Sequence, residues 1–247
     1  MTNTWKSAII TLFPDMFPGP LQHSLAGKAL DKEIWSFDTF NIRDFSSDKH
    51  LKVDDTSYGG GEGLVIRPDV VHDALLCAER KIGPSDQIQF IYTSPRGKPF
   101  NQNMAKEWTS SKKGVAILCG RYEGIDQRVI DYWSENKNLM EVSIGDFVLS
   151  GGETAALTIL DACVRLLPGV LKNEKTASVE SFELDLLEFS QYTKPCVWQN
   201  RVVPEVLRSG DHQKIAAWQK NSAETITKHR RPDLWSKYLM RTNDKNC

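Results

Sequence analysis

Two groups of glycines in the middle of the chain stand where the main chain itself could do chemistry. Gly120 and Gly124 follow an apolar run at residues 115–118, and Gly145, Gly151 and Gly152 bracket Phe147, Val148 and Leu149. A glycine has no Cβ and reaches positive φ cheaply, so the amides and carbonyls around it can approach a ligand closely. Any one of these residues alone is an ordinary turn glycine. The cluster as a whole points to a crevice lined by backbone groups. Other chemistries are missing from the pattern. There is no Gly-x-x-x-x-Gly-Lys-Ser/Thr, and residues 58–63 do not fit Gly-x-Gly-x-x-Gly, which argues against a P-loop phosphotransferase or an ordinary dinucleotide-binding enzyme. The five histidines (23, 50, 72, 212 and 229) have no metal-ligand spacing, and no Gly-x-Ser-x-Gly elbow is present.

The elements that must position these turns can be read from hydrophobic pattern. Residues 115–118 form a buried strand, so Gly120 and Gly124 fall at its carboxyl end, where open α/β sheets keep their ligand crevice. Residues 7–12, 34–41 and 87–92 read as further strands, the last ending in the turn Thr93-Ser94-Pro95-Arg96-Gly97. Between them, Pro20 suits the first turn of a helix over 21–30, and Pro68-Asp69 opens a helix that keeps Val70, Val71, Ala74, Leu75 and Ala78 on one face. A short helix is expected around 104–108. Alternating strands and helices predict an α/β fold, a parallel sheet with helices on both faces, and three loops (92–97, 119–124 and 143–152) gathered on one edge.

Residues 43–67 are polar and irregular and contain Asp54-Asp55 and a glycine run; so long a loop is either functional or disordered. Residues 153–167 form a helix apolar almost all round, expected against the sheet or a second subunit. Pro168-Gly169 stops it. Beyond a polar linker, Asp211 can cap a helix carrying Ile215, Ala216 and Trp218, and a further helix is expected over 223–229. The chain thus divides into an α/β domain over 1–170, a linker over 171–186 and a small helical domain over 187–247.

Size and composition are those of an ordinary globular protein: 247 residues, 40% hydrophobic and 26% charged. The cysteines (77, 119, 163, 196 and 247) are odd in number, scattered and without a Cys-x-x-Cys pair, which suits free thiols in a reducing compartment. No early apolar run is long enough for a signal peptide or a membrane span, and a cytoplasmic location is expected. Charge is unevenly spread. Residues 201–247 carry ten Lys or Arg against five Asp or Glu, a balance of +5 that leaves −6 on residues 1–200 under the whole-chain charge of −1. That asymmetry fits a tail domain that meets phosphates, and equally a solvated helical surface.

The wording Gly120-Arg121-Tyr122-Glu123-Gly124-Ile125-Asp126, followed by Ser143-Ile144-Gly145-Asp146-Phe147-Val148-Leu149-Ser150-Gly151-Gly152-Glu153, resembles the bacterial tRNA (guanine-N1)-methyltransferases of the SPOUT class. The likeness runs from Leu12-Phe13-Pro14-Asp15-Met16-Phe17 to Arg230-Arg231-Pro232-Asp233-Leu234, nearly the whole chain. It implies a deep trefoil knot, which general topology rules disfavour. It also implies S-adenosyl-L-methionine as methyl donor, tRNA as substrate, and a homodimer in which one subunit's tail domain completes the other's cleft. By the resemblance, Tyr92, Ser94 and Gly97 supply the first donor-binding loop and Gly120 the second. Ile144, Gly145, Asp146, Phe147, Val148 and Leu149, with Gly151 and Gly152, supply the third. Adenine would be held largely by backbone groups, which a fixed loop can offer without loss of side-chain entropy.

The implied reaction moves a methyl to N1 of the guanosine just 3′ of the anticodon. Guanine N1 carries a proton that a base must remove, and negative charge then develops mainly at O6. The family's base is an aspartate in Asp-Ser-Phe; this chain has Glu180-Ser181-Phe182 there. A misplacement of about 1 Å can cost on the order of 100-fold in rate, so the longer side chain is the most consequential departure. Glu174 and Glu183 are reserve candidates. The charge-stabilising role falls on Arg165, whose other reading is a cation complementing the end of its helix. Glu123 matches a carboxylate beside the methionine moiety. Asp54, Asp55, Tyr58, Gly59, Gly60 and Gly61 match a segment that shapes the guanine site, with Glu62 where the family usually has proline. Arg208, His212, Lys214, Arg230 and Arg231 are candidate phosphate contacts. A magnesium requirement is left open by the residue pattern. Two other readings compete: a non-catalytic RNA-binding module on a degenerate methyltransferase scaffold, and a SPOUT enzyme acting on another RNA.

Overall fold

Alternation of side chains along the strands builds two cores, one on each face of a parallel sheet. The computed structural model describes residues 4–60, 63–171 and 180–243, and the chain divides into two units, Met1–Lys172 and Asn173–Cys247. In the first, β1 (Trp5–Thr11), β2 (Trp35–Asn41), a short hairpin of β3 (Asp54–Thr56) and β4 (Leu64–Ile66), β5 (Ile88–Pro99), β6 (Gly114–Cys119) and β7 (Met140–Ser143) are the strands. All but the hairpin join in one sheet, order β2-β1-β6-β5-β7, with every pairing parallel. Ile9, Ile117 and Ile91 stand in register and point into one core; their neighbours Ile10, Leu118 and Tyr92 point into the other. A one-residue slip would exchange the two sets, and because both faces are apolar the burial of these runs alone does not choose between the registers.

Helices α1 (Ser24–Asp31), α3 (Gln102–Ser111) and α5 (Glu153–Leu166) cover the first face, and α2 (Pro68–Ile82) and α4 (Gln127–Lys137) the second. Their ends follow from local chemistry. Pro68 occupies the first turn of α2, where its missing N–H costs nothing, and the helix stops at Gly83. The Asp126 carboxylate accepts from the Arg128 amide to cap α4, which ends at Asn138 in the left-handed region. The apolar face read for α2 is the one that is buried, with Ile82 added.

The structure departs from expectation in five places. The helix over 21–30 is a 3-10 turn, Gly19–Gln22, followed by the shorter α1. Strand β5 runs on to Pro99, with a register break between Thr93 and Lys98 that makes residues 94–97 a bulge beside β7. Strand β7, four residues with a polar Glu141, gives too little pattern to read alone. Residues 43–67 hold the β3–β4 hairpin. Helix α5 is not apolar all round: Thr154, Thr158 and Asp161 form an exposed stripe, while Ala156, Ile159, Leu160, Cys163 and Val164 enter the core.

In the second unit, β8 (Val197–Trp198) and β9 (Arg201–Val202) pair across Gln199 and Asn200, both at positive φ. Helices α6 (His212–Arg230) and α7 (Pro232–Asn243) follow. The two helices expected within 211–229 are one, capped by Asp211, whose carboxylate accepts from the Gln213 and Lys214 amides. Helix α7, with Pro232 at its first position, has no counterpart among the sequence expectations. Among the described residues of this unit the buried apolar side chains are Ala223 and Leu234, with the Thr227 hydroxyl donating to the Ala223 carbonyl and accepting from the Leu187 amide. The linker expectation falls partly on 172–179, which with Glu174, Gly61, Glu62 and Cys247 lie outside the described residues. Among the described residues no helix is long and apolar enough to cross a membrane.

Candidate active site

Because β5, β6 and β7 are neighbours and parallel, the segments that leave their carboxyl ends are forced together. They enclose a cleft of about 500 Å³, within the range of small-molecule sites. Tyr92 to Arg96, Gly120 to Ile125 and the 142–152 segment line it. The walls are stitched to each other by main-chain bonds: the Gly152 amide donates to the Gly120 carbonyl at 2.9 Å, and within the third loop the Phe147 amide donates to the Gly145 carbonyl at 3.0 Å. Gly152 cannot carry a side chain, because a Cβ would fall on Thr93 Oγ1 and within 2.9 Å of the Gly120 amide nitrogen. Phe147, Val148 and Leu149 expose apolar surface beside these polar main-chain groups.

Of the expected donor contacts, Tyr92, Ser94, Gly120, Ile144, Gly145, Phe147, Val148, Leu149, Gly151 and Gly152 line the cleft, as does Glu123. Gly97 and Asp146 do not. Gly97 lies against the backbone of Glu141 and Val142, so its lack of a side chain serves strand packing. The β3–β4 hairpin is tied to the second loop: the Glu123 amide donates to the Leu64 carbonyl, the Ile66 amide to the Gly124 carbonyl and the Asp126 amide to the Ile66 carbonyl, each at 3.0 Å. Asp54 and Asp55 are thereby placed on a strand next to the one that meets Glu123. The Asp55 carboxyl is held below its ordinary value by the Thr56 amide and then by Lys52. Tyr58 and Gly59 are exposed beyond the hairpin.

Sequence reading missed the residues that brace these loops. Glu153, the first residue of α5, is 0% exposed; it accepts from Thr11 Oγ1 at 2.7 Å and from Arg121 Nε at 2.8 Å. In sequence Glu153 is simply an acid at a helix start, a favourable and common placement. On the opposite wall, Arg96 Nη2 donates to Gln127 Oε1 at 2.8 Å and lies 3.6 Å from Glu141. Burial, and then the Glu141 charge, push the Tyr92 hydroxyl above its ordinary pKa. Burial pushes the Cys119 thiol well above its own, so it is no nucleophile behind the second loop.

Arg165 sits in the last turn of α5, half-buried. It lies roughly 18 Å along the helix from Glu153 at the ordinary α-helical rise and does not line the cleft of its own chain. Glu180 belongs to the second unit and is half-buried. The phosphate candidates do not form one patch. Arg208, His212 and Lys214 are exposed at the start of α6, whereas Arg230 and Arg231 lie at its end, about 27 Å away by the same rise. Arg231 is paired with Asp233 at 2.6 Å, and Lys214 with Asp211 at 3.2 Å.

Fold and cleft together define an α/β protein with a cleft of small-molecule size at the carboxyl edge of a parallel sheet, its second and third loops joined by a main-chain bond. The chain belongs to the family described as tRNA (Guanine-1)-methyltransferase TrmD, which matches residues 5–237. A tRNA (guanine-N(1)-)-methyltransferase of Cereibacter sphaeroides (strain KD131) is 50% identical over 241 residues, covering 96% of this chain and 94% of the relative. Those of Rhodospirillum rubrum and Rickettsia rickettsii (strain Sheila Smith) are 48% and 52% identical over 244 and 233 residues. They cover 98% and 92% of this chain and 98% and 96% of their own lengths.

Proposed function

We propose that this protein methylates N1 of a guanosine in tRNA, the one just 3′ of the anticodon, with S-adenosyl-L-methionine as donor. The observation that carries this reading is the cleft: three loops at the ends of adjacent parallel strands, the second and third bonded to each other, in a chain of this family. The residues present suit the donor. Phe147, Val148 and Leu149 offer apolar surface for an adenine ring, and main-chain groups around Gly145 and Gly120 offer its hydrogen-bond partners. When bound, the donor supplies an electrophilic methyl on a sulfonium.

The chain's own residues then have three tasks. Glu180 takes the N1 proton of guanine, a step for which a carboxylate within hydrogen-bond reach suffices. Arg165 offsets the charge developing at O6. Glu123, carried by the second loop and backed by Leu64, faces the donor's amino-acid end. Arg165 stands at the far end of α5 from its own cleft, which supports a homodimer in which it serves the partner's. A knotted path belongs to the same reading, as do tRNA phosphate contacts from Arg208, His212 and Lys214. A tRNA substrate puts the work in the compartment that holds tRNA, and we propose the cytoplasm. The test is mass spectrometry of unmodified tRNA after incubation with protein and donor. A single added methyl on the guanine base 3′ of the anticodon is expected. Bound but unmethylated tRNA, or a methyl on ribose or on another RNA, would refute the reading.

A further inference from the structure

We propose that Arg121 is a positioning residue for the cleft: braced by Glu153, it holds the third loop against the second and sets the spacing of the main-chain groups around the donor. This rests on the reading that the donor occupies the cleft. Four segments meet at one guanidinium. Its Nε donates to Glu153 Oε2 at 2.8 Å and its Nη1 to the Ser150 carbonyl at 3.0 Å, while its Cζ lies 4.4 Å from the centre of the Phe13 ring. Gly151 passes so close that a Cβ there would fall on the guanidinium itself. The far oxygen of Glu153 accepts from Thr11 Oγ1, and that same Oγ1 accepts from the Phe13 amide at 2.9 Å. The end of β1, the second loop, the third loop and the start of α5 are thus joined through one planar fork, and the joint lies on the cleft wall.

The energetics favour a role in placement over one in net stability. Removing two charges from water costs nearly as much as their attraction returns, so a buried pair is often matched in stability by apolar side chains of similar volume. What an apolar pair does not reproduce is direction. A lysine would keep the charge but could not reach a carboxylate, a carbonyl and a ring face at once. Arg121 therefore acts on the donor through Ser150 and Gly151, and the positions of Gly152 and Leu149 depend on it.

The test separates placement from folding. Donor affinity is measured by calorimetry with S-adenosylmethionine, alongside KM for donor, KM for tRNA and Tm, for the wild type, Arg121→Lys and the double variant Arg121→Met with Glu153→Met. For both variants donor Kd and donor KM are expected to rise by roughly tenfold or more, as loop misplacement costs in other sites, with KM for tRNA changed less than about twofold. The double variant is expected to keep a Tm near the wild type's while its donor affinity stays low. Wild-type donor affinity in Arg121→Lys, or in the folded double variant, would overturn the proposal. A wild-type protein that itself binds no donor would instead sink the reading of the cleft.

Discussion

The cleft of the first unit and the helices of the second are built on opposite principles. Around the cleft the second and third loops are joined by a main-chain bond and braced by Arg121, Gly151 and Gly152 leave no room for a Cβ, and the strands beneath are buried Ile, Leu and Val. Among the described residues of the second unit the buried set is small, and α6 presents Lys214, Lys220, Lys228 and Arg230 outward on long stems. A rigid pocket suits a small molecule with fixed hydrogen-bonding edges, because little entropy is lost when it closes. Mobile cations suit a polyanion, whose phosphates are neutralised by counterion release without demanding one geometry. The difference teaches that a substitution in each region should fail in its own way.

The strongest break between the two functions is expected at Glu180. Glu180→Gln should lower methyl transfer by roughly 10²- to 10⁴-fold, the usual span of general base catalysis, while leaving donor affinity by calorimetry unchanged, since the cleft lies in the other unit. Transfer at the native rate would remove Glu180 as the base.

Next in size is a pair of identical changes at two glycines. Gly152→Ala places a methyl against the Cys119 Cα and the Gly120 amide and should cut donor affinity by on the order of 100-fold. Gly210→Ala meets nothing within 4 Å and strains only a backbone φ of +73°, so it should cost about 1–2 kcal/mol of stability and leave donor binding alone. Equal effects on donor affinity would erase the contrast.

A smaller effect is expected from charge removal at the start of α6. Lys214→Ala should weaken tRNA binding a few-fold and reduce the slope of log affinity against log salt by about one, with donor Kd unmoved. A slope that stays at the wild-type value would show that Lys214 touches no phosphate.

The smallest is a titration. The Arg231 guanidinium holds the Asp233 carboxyl down to about 2, against an ordinary 3.8. A folded pKa below the unfolded one means the pair contributes fully above about pH 4 and its contribution disappears as pH falls toward 2. Carboxyl chemical shifts followed by NMR should place the midpoint near 2, and Arg231→Ala should return it toward the ordinary value. An unmoved midpoint would rule out Arg231 as the cause.

How much of this was legible beforehand follows from the range of each interaction. Strands β1, β2 and β6, helix α2 and the positions of the three cleft loops are written in runs of neighbouring residues: an apolar stretch, a period, a proline at a helix start, a glycine after a strand. These are local properties, and the sequence by itself determined them. It likewise set the charge imbalance between the two ends, since composition needs no fold to be counted. The tertiary structure alone decided the strand order that makes β5, β6 and β7 neighbours and the fusion of two expected helices into α6. The sequence already put Arg165 in the last turn of its helix, and only the fold shows that this residue does not line the cleft of its own chain. The clearest case is Thr11 and Glu153, which lie 142 residues apart. Nothing near either residue signals the bond between them, because a hydrogen bond depends on distance in space, and only the packing of α5 beside the end of β1 brings those atoms to 2.7 Å.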